Sequence, residues 1–171
     1  MTYRSSILAI LISILLSLPL ISYSAESKLY GGGGVGLTLG STIAVRINPF
    51  VGYHILPKTS AGVGIVYEYN SYKSYATSIY GGSVFAEQYF TDNIFVHGEY
   101  ELLSLEAAMF DHLGLHSGQK RFLHHGVLVG AGYRQQVSDN GSFFIMALVN
   151  LNQTDNSPYM MPIIKVGFSF N

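Results

Sequence analysis

From residue 28 onward the apolar residues recur at every second position, and the pattern breaks only at turn formers. Period two is the mark of a strand whose two faces meet different surroundings. Eight segments carry it: Lys28–Leu39, Thr42–Ile55, Ala61–Ser71, Thr77–Phe90, Ile94–Leu105, Phe122–Val137, Ser142–Asn152 and Met161–Phe170. No segment among them sustains a period of 3.6, so the body of the fold cannot be helical. Pro49 falls inside the second segment, where it removes a ladder hydrogen bond, and a bulge is expected there.

The connections fall into two classes. Leu56–Ser60, Thr91–Asn93 and Ser138–Gly141 are short and hold Pro, Asp, Asn or Gly. Between them lie Tyr72–Ala76, Glu106–Arg121 and Thr154–Met160, which are mostly longer and more polar, whereas the first connection, around Gly40–Ser41, is very short. Tight turns at one end and longer loops at the other describe an antiparallel up-and-down barrel of eight strands that spans a membrane.

The two faces say which way the barrel is turned. In the last segment Ile164, Val166, Phe168 and Phe170 oppose Ile163, Lys165, Gly167 and Ser169. In the sixth, Leu123, Val127, Val129, Ala131 and Tyr133 oppose His124, Gly126, Gly130, Gly132 and Arg134; in the third, Val63, Ile65, Tyr67 and Tyr69 oppose Gly62, Gly64, Glu68 and Asn70. Only 11% of the 171 residues are charged, against about 25% in ordinary soluble domains. The polar face is mostly glycine, and an aqueous exterior carries far more charge. Large apolar side chains therefore face lipid, while small and polar ones fill the lumen. A soluble periplasmic barrel that holds an apolar ligand, with the faces reversed, is the alternative. Aromatics near strand ends are expected to form interfacial girdles: Tyr53, Tyr89, Phe90, Phe95, Tyr133, Phe143 and Phe170 at the short-turn end, and Tyr67, Tyr69, Tyr72, Tyr75 and Tyr80 at the loop end.

The first 25 residues read as a cleaved signal peptide, leaving residues 26–171 as one barrel domain. Arg4 supplies the positive start, Ile7–Ile21 is apolar but for Ser13, Ser17 and Pro19, and Ser22, Ser24 and Ala25 offer a cleavage site. That run of 15 residues is short of the roughly 20 a spanning helix needs. With no cysteine in the chain, disulfides and thiolate metal sites are excluded, and a net charge of −1 gives no field for nucleic acid.

Seven charged residues share the inward parity: Arg46, Glu68, Glu87, Glu99, Glu101, Arg134 and Lys165. Eight strands enclose a space just wide enough for side chains, and buried charges must pair. An ion-pair plug is expected, with a narrow porin-like channel as the alternative. The longest loop carries Met109, Phe110, His112, Leu113 and Leu115, an expected extracellular contact with a partner or lipid. Gly31, Gly33 and Gly36 satisfy G-x-G-x-x-G, but the next segment alternates like a strand and no acid follows at the required distance. They read instead as inward glycines that leave room in a narrow lumen. Asp111, His112 and His116, with His124 and His125 beyond them, lack H-E-x-x-H and read as solvated, so no metal is expected. No G-x-S-x-G occurs either. No cofactor and no enzymatic activity are expected.

The chain ends Ile164-Lys165-Val166-Gly167-Phe168-Ser169-Phe170-Asn171. This resembles the C-terminal assembly signal of outer-membrane barrels, in which alternate apolar residues (here Ile164, Val166, Phe168 and Phe170) lead to an aromatic. The aromatic is penultimate in this chain. Together with Gly130-Ala131-Gly132-Tyr133-Arg134, Gly81-Gly82-Ser83 and the glycine-rich first strand, nearly all of residues 26–171 is similar to small outer-membrane β-barrel proteins of the Bacteroidetes type. The resemblance implies a Gram-negative outer membrane, lipid around the barrel, and recognition by the barrel-assembly machinery during biogenesis.

Overall fold

A computed structural model of the protein describes residues 28–38, 42–72, 75–159 and 161–171. Among these residues the strands are β1 (Leu29–Thr38), β2 (Thr42–Leu56), β3 (Thr59–Tyr72), β4 (Tyr75–Tyr89), β5 (Ile94–Glu106), β6 (Arg121–Ser138), β7 (Gly141–Asn150) and β8 (Ile163–Phe170), with one short helix, α1 (Ala107–Phe110). Each strand pairs antiparallel with the next, and β8 pairs back onto β1. The result is a closed up-and-down barrel of eight strands. The expected signal segment and the Gly40–Ser41 connection lie outside the described residues.

The short connections stand at one end: residues 57–58, 90–93 and 139–140. At the other end stand residues 107–120, which include α1, and residues 151–159 and 161–162. The expected longer loop at Tyr72–Ala76 shrinks to two intervening residues, because the ladder runs on to Tyr72↔Tyr75.

Pro49 makes no bulge. The β2–β3 register is the same on both sides of it, Ile47↔Tyr67 and Phe50↔Gly64, and the irregularity falls at His54–Leu56 near the turn. The Asn48 amide explains this. Its Nδ2 donates to the Ile65 carbonyl at 2.8 Å, the oxygen opposite the N–H that proline lacks. A side chain thus supplies the missing ladder bond and the strand stays in register.

The wall is apolar outside. Ile65 is 64% exposed, and Val51, Val63, Val84, Ile145 and Phe168 stand out with it. Inside, Val66, Ile79, Leu103, Leu105, Leu128, Phe144 and Leu148 are buried beside polar groups. Two expected girdle residues are inside instead. Phe95 has the parity of Glu99 and Glu101 on β5 and is fully buried; its ring lies where a Cβ on Gly132 would stand. Tyr89 packs against it with ring centroids 5.3 Å apart. The reading of Gly31 and Gly33 as inward is also corrected. Tyr30 is buried, and strand alternation then turns its neighbour Gly31, and Gly33 with it, to the outer face. Gly32, Gly34 and Gly36 share the inward parity of Tyr30.

Glycine is demanded most clearly at position 130. A Cβ there would run into the Ala147 carbonyl oxygen of β7. Gly130→Ala is expected to cost about 1–3 kcal/mol through strand displacement. Gly98→Ala, where nothing lies within 4 Å of the new carbon, should stay within about 0.5 kcal/mol of the parent. Denaturant titration followed by circular dichroism checks both; equal midpoints for the two variants would refute the steric account.

Candidate functional site

The lumen holds one continuous chain of ionised groups. It begins near the short-turn end, where Arg134 Nη2 lies 3.2 Å from Glu87. Glu87 is 3.2 Å from His97 Nδ1, and His97 Nε2 is 3.2 Å from Glu99. Lys165 Nζ bridges Glu99 at 2.6 Å and Glu101 at 3.1 Å. Arg46 Nη1 stands 3.6 Å from Glu101, and its Nε 2.8 Å from Glu68. Asn70 Nδ2 ends the chain by donating to Glu68 at 2.7 Å. All seven sequence-picked charges are brought together. The spine is β5, which places His97, Glu99 and Glu101 at successive inward positions about 7 Å apart. Each acid then meets a cation from another strand.

His97 was not among the residues picked from sequence. Both of its ring nitrogens face carboxylates, which only accept, so both must carry a proton. The imidazolium is the fourth cation, and four acids then meet four bases. Two signals pointed to it: its parity with Glu99 and Glu101, and the shortfall of one base in the inward count. Tyr159 was also missed. It reaches down from the 151–162 segment, accepts a hydrogen bond from Arg46 Nη2 at 2.8 Å, and donates to Glu101. The Arg46 guanidinium lies 4.8 Å from the Tyr159 ring centre.

Towards the short-turn end the lumen is filled. Phe50 contacts Phe85 and Phe144 with ring centroids 5.6 and 6.0 Å apart. The Arg134 guanidinium lies 5.3 to 5.8 Å from the rings of Tyr30, Tyr89, Phe95 and Phe144. Between this layer and the Glu87–Lys165 chain there is a void of about 30 Å³, enough for a water or two.

Towards the loop end the lumen opens into a cavity of about 640 Å³. Arg46, Glu68, Asn70 and Lys165 line it from the strands, and Met109, Phe110, His112 and Tyr159 from the loops. The two long loops are tied together. Asp111 accepts from the backbone N–H groups of Leu115 at 3.0 Å and His116 at 2.8 Å, and from Asn156 Nδ2 at 3.2 Å. Asn156 Oδ1 in turn accepts from the Leu113 N–H at 3.2 Å. A desolvation penalty opposes ionisation of Asp111, but these donors outweigh it and hold the carboxyl below its ordinary range. His116 stacks on Phe122 with centroids 4.2 Å apart.

The expected outward contact set is therefore split. Met109 and Phe110 are half-buried, and Phe110 packs on the core. His112, Leu113 and Leu115 remain exposed. Packing at the barrel mouth and against the apolar cluster below it takes part of the first two side chains out of water. Ile164, Phe168 and Phe170 of the proposed assembly signal lie exposed on the outer wall, with Val166 partly covered. Among the described residues no group of three metal-ligating side chains comes together.

No protein-family model matches the sequence, and no curated protein matches it. Among solved structures, a chain described as "De novo design of transmembrane beta-barrels" is similar at 16% identity, covering 86% of this chain and 97% of that one, with a TM-score of 0.41.

Proposed function

We propose that this protein is a non-conducting β-barrel of the bacterial outer membrane that makes its contacts at the loop end, through the cavity and the exposed residues His112, Leu113 and Leu115. One observation carries the reading: ionised groups are sealed inside while aliphatic side chains cover the outer wall. In water that arrangement forfeits the hydrophobic driving force and exposes a continuous apolar surface far beyond what soluble monomers tolerate. In lipid it is the favourable one, and a closed barrel leaves no strand edge without a partner strand around most of its circumference. The aromatic layer and the ion-pair chain fill much of the lower lumen with side chains, which argues against conduction. The C-terminal alternation suits handover by the assembly machinery, and the loops suit an extracellular partner.

The full chain, extracted from membranes with detergent, is expected to migrate differently before and after heating on a detergent gel. In planar bilayers it should give no conductance steps. Release with the periplasmic extract, without detergent, would replace this reading with the soluble barrel. Unitary conductance steps would replace it with the channel.

A further inference from the structure

Arg121 opens β6 on the outer side of the wall. Phe122 and His124 are buried, and Leu123 and His125 share the outward parity of Arg121. The ladder beside it stops early. β4 and β5 pair from Tyr89↔Phe95 only as far as Tyr80↔Ser104, although β4 begins at Tyr75 and β5 runs on to Glu106. The Arg121 side chain reaches across β5 to β4, a span of about 10 Å, and fills the notch. Its Nη2 donates to the carbonyls of Ser78 at 2.7 Å and Ser104 at 2.5 Å, and its Nε donates to Ser104 Oγ at 2.8 Å. The guanidinium carbon lies 4.5 Å from the Tyr80 ring centre.

These bonds hold the guanidinium in one place and leave part of it unused. They take the Nε and Nη2 protons, and the two on Nη1 remain. Nη1 bonds to no described residue and is not shut away inside the wall. Among the described residues Arg121 makes no ion pair, whereas Arg46, Arg134 and Lys165 are all paired with acids in the lumen. Glu106, across the ladder from Arg121, accepts from Thr77 at 2.5 Å. A cation fixed in position and facing outward calls for an anion from outside the chain.

The surrounding wall says what carries that anion. Tyr67, Tyr69 and Tyr80 stand exposed beside the notch, with Tyr67 Oη 3.1 Å from Ser78 Oγ. Outward tyrosines of this kind mark the level of lipid headgroups. From there towards the tight turns the wall is aliphatic, with Leu123, Leu102 and Val84 exposed in succession. A phosphate is the anion that arginine N–H groups meet with strong, short bonds, and the aliphatic track suits acyl chains hanging below it.

We propose that Arg121 marks a site on the outer wall for one anionic phospholipid of the leaflet at the loop end. Its phosphate is held by Nη1, and its chains lie along Leu123, Leu102 and Val84. The site rests on the outer-membrane reading above.

The test uses the full chain, labelled with ¹³C at the arginine Cζ, folded into bilayers of phosphorus-free digalactosyldiacylglycerol. Phosphatidate is the probe, so every phosphorus nucleus belongs to it. Solid-state NMR then reads dephasing of each Cζ resonance by ³¹P, and Arg121→Lys assigns the Arg121 signal by removing it. Dephasing of Arg121 alone is expected, saturating at one phosphatidate per barrel. Ser104→Ala takes away the acceptor that holds Nε and should raise the phosphatidate fraction needed for half-dephasing about threefold or more. Lys58→Met, at the opposite end, should leave that fraction unchanged. An inserted, heat-modifiable barrel whose Arg121 signal is not dephased overturns the site. So does dephasing that climbs without saturating, which is attraction by charge alone. Equal dephasing by inorganic phosphate without phosphatidate overturns it too, since the ligand is then a soluble anion. Failure to insert would instead sink the outer-membrane reading beneath it.

Discussion

Replacing Lys165 with methionine is expected to cost about 3–5 kcal/mol of folding stability, the largest single effect in the lumen. The ammonium lies between Glu99 at 2.6 Å and Glu101 at 3.1 Å, and the residue is 6% exposed. Methionine fills much the same volume, so packing is not the cause. What is lost is the cation in closest contact with two buried carboxylates, each of which keeps one other cation, His97 for Glu99 and Arg46 for Glu101. Adding Glu99→Gln should restore part of the loss, because it removes the carboxylate nearest the lost ammonium, while Glu101 keeps its contact with Arg46. The pair therefore couples, and the double-mutant cycle measures that coupling. Lys58→Met gives the scale. Lys58 and Asp92 form an ion pair at 4.0 Å with side chains 54% and 96% exposed, and such exposed pairs contribute about 0–1 kcal/mol. The readout is the urea midpoint of each variant folded into vesicles. If Lys165→Met and Lys58→Met shift it equally, the lumen is wet and the ion-pair chain has no structural weight.

Strand parity was legible wherever the alternation ran unbroken. It placed Glu99 and Glu101 on one face of β5, and Ile164, Val166 and Phe168 on one face of β8, because the pleat of a strand is local. Phe95 shows the limit of judging by residue type. Its parity already said inward, but aromatics near strand ends suggest a girdle, and the room left by Gly132 on the neighbouring strand decided the matter. Pro49 shows another limit. The Asn48 amide that replaces its ladder bond is an accident of side-chain reach that no periodicity reveals. Tyr159 was least legible of all. It joins Arg46 across 113 positions of chain, and nothing near either residue announces the contact.

Ile65→Arg is expected to cost about 2–4 kcal/mol when the protein folds into a bilayer, whereas Leu56→Arg should cost about 0–1 kcal/mol. Both positions carry large aliphatic side chains on the outer wall, 64% and 60% exposed. They differ in height. Ile65 is the seventh of the fourteen residues of β3, near mid-wall, while Leu56 ends β2 at the tight turn. A guanidinium at mid-wall must be drawn from water into hydrocarbon, and its stem is too short to reach either interface. At the turn it meets headgroups and water. In a soluble barrel neither change would matter, because an exposed residue on a wet strand tolerates arginine within about 0.5 kcal/mol. The difference between the two variants therefore reports the solvent around the wall, independently of any loop or lumen chemistry. Urea titrations into vesicles, followed by circular dichroism, measure it. Equal midpoints would mean that the apolar wall does not face lipid, and the membrane reading would fall with that result.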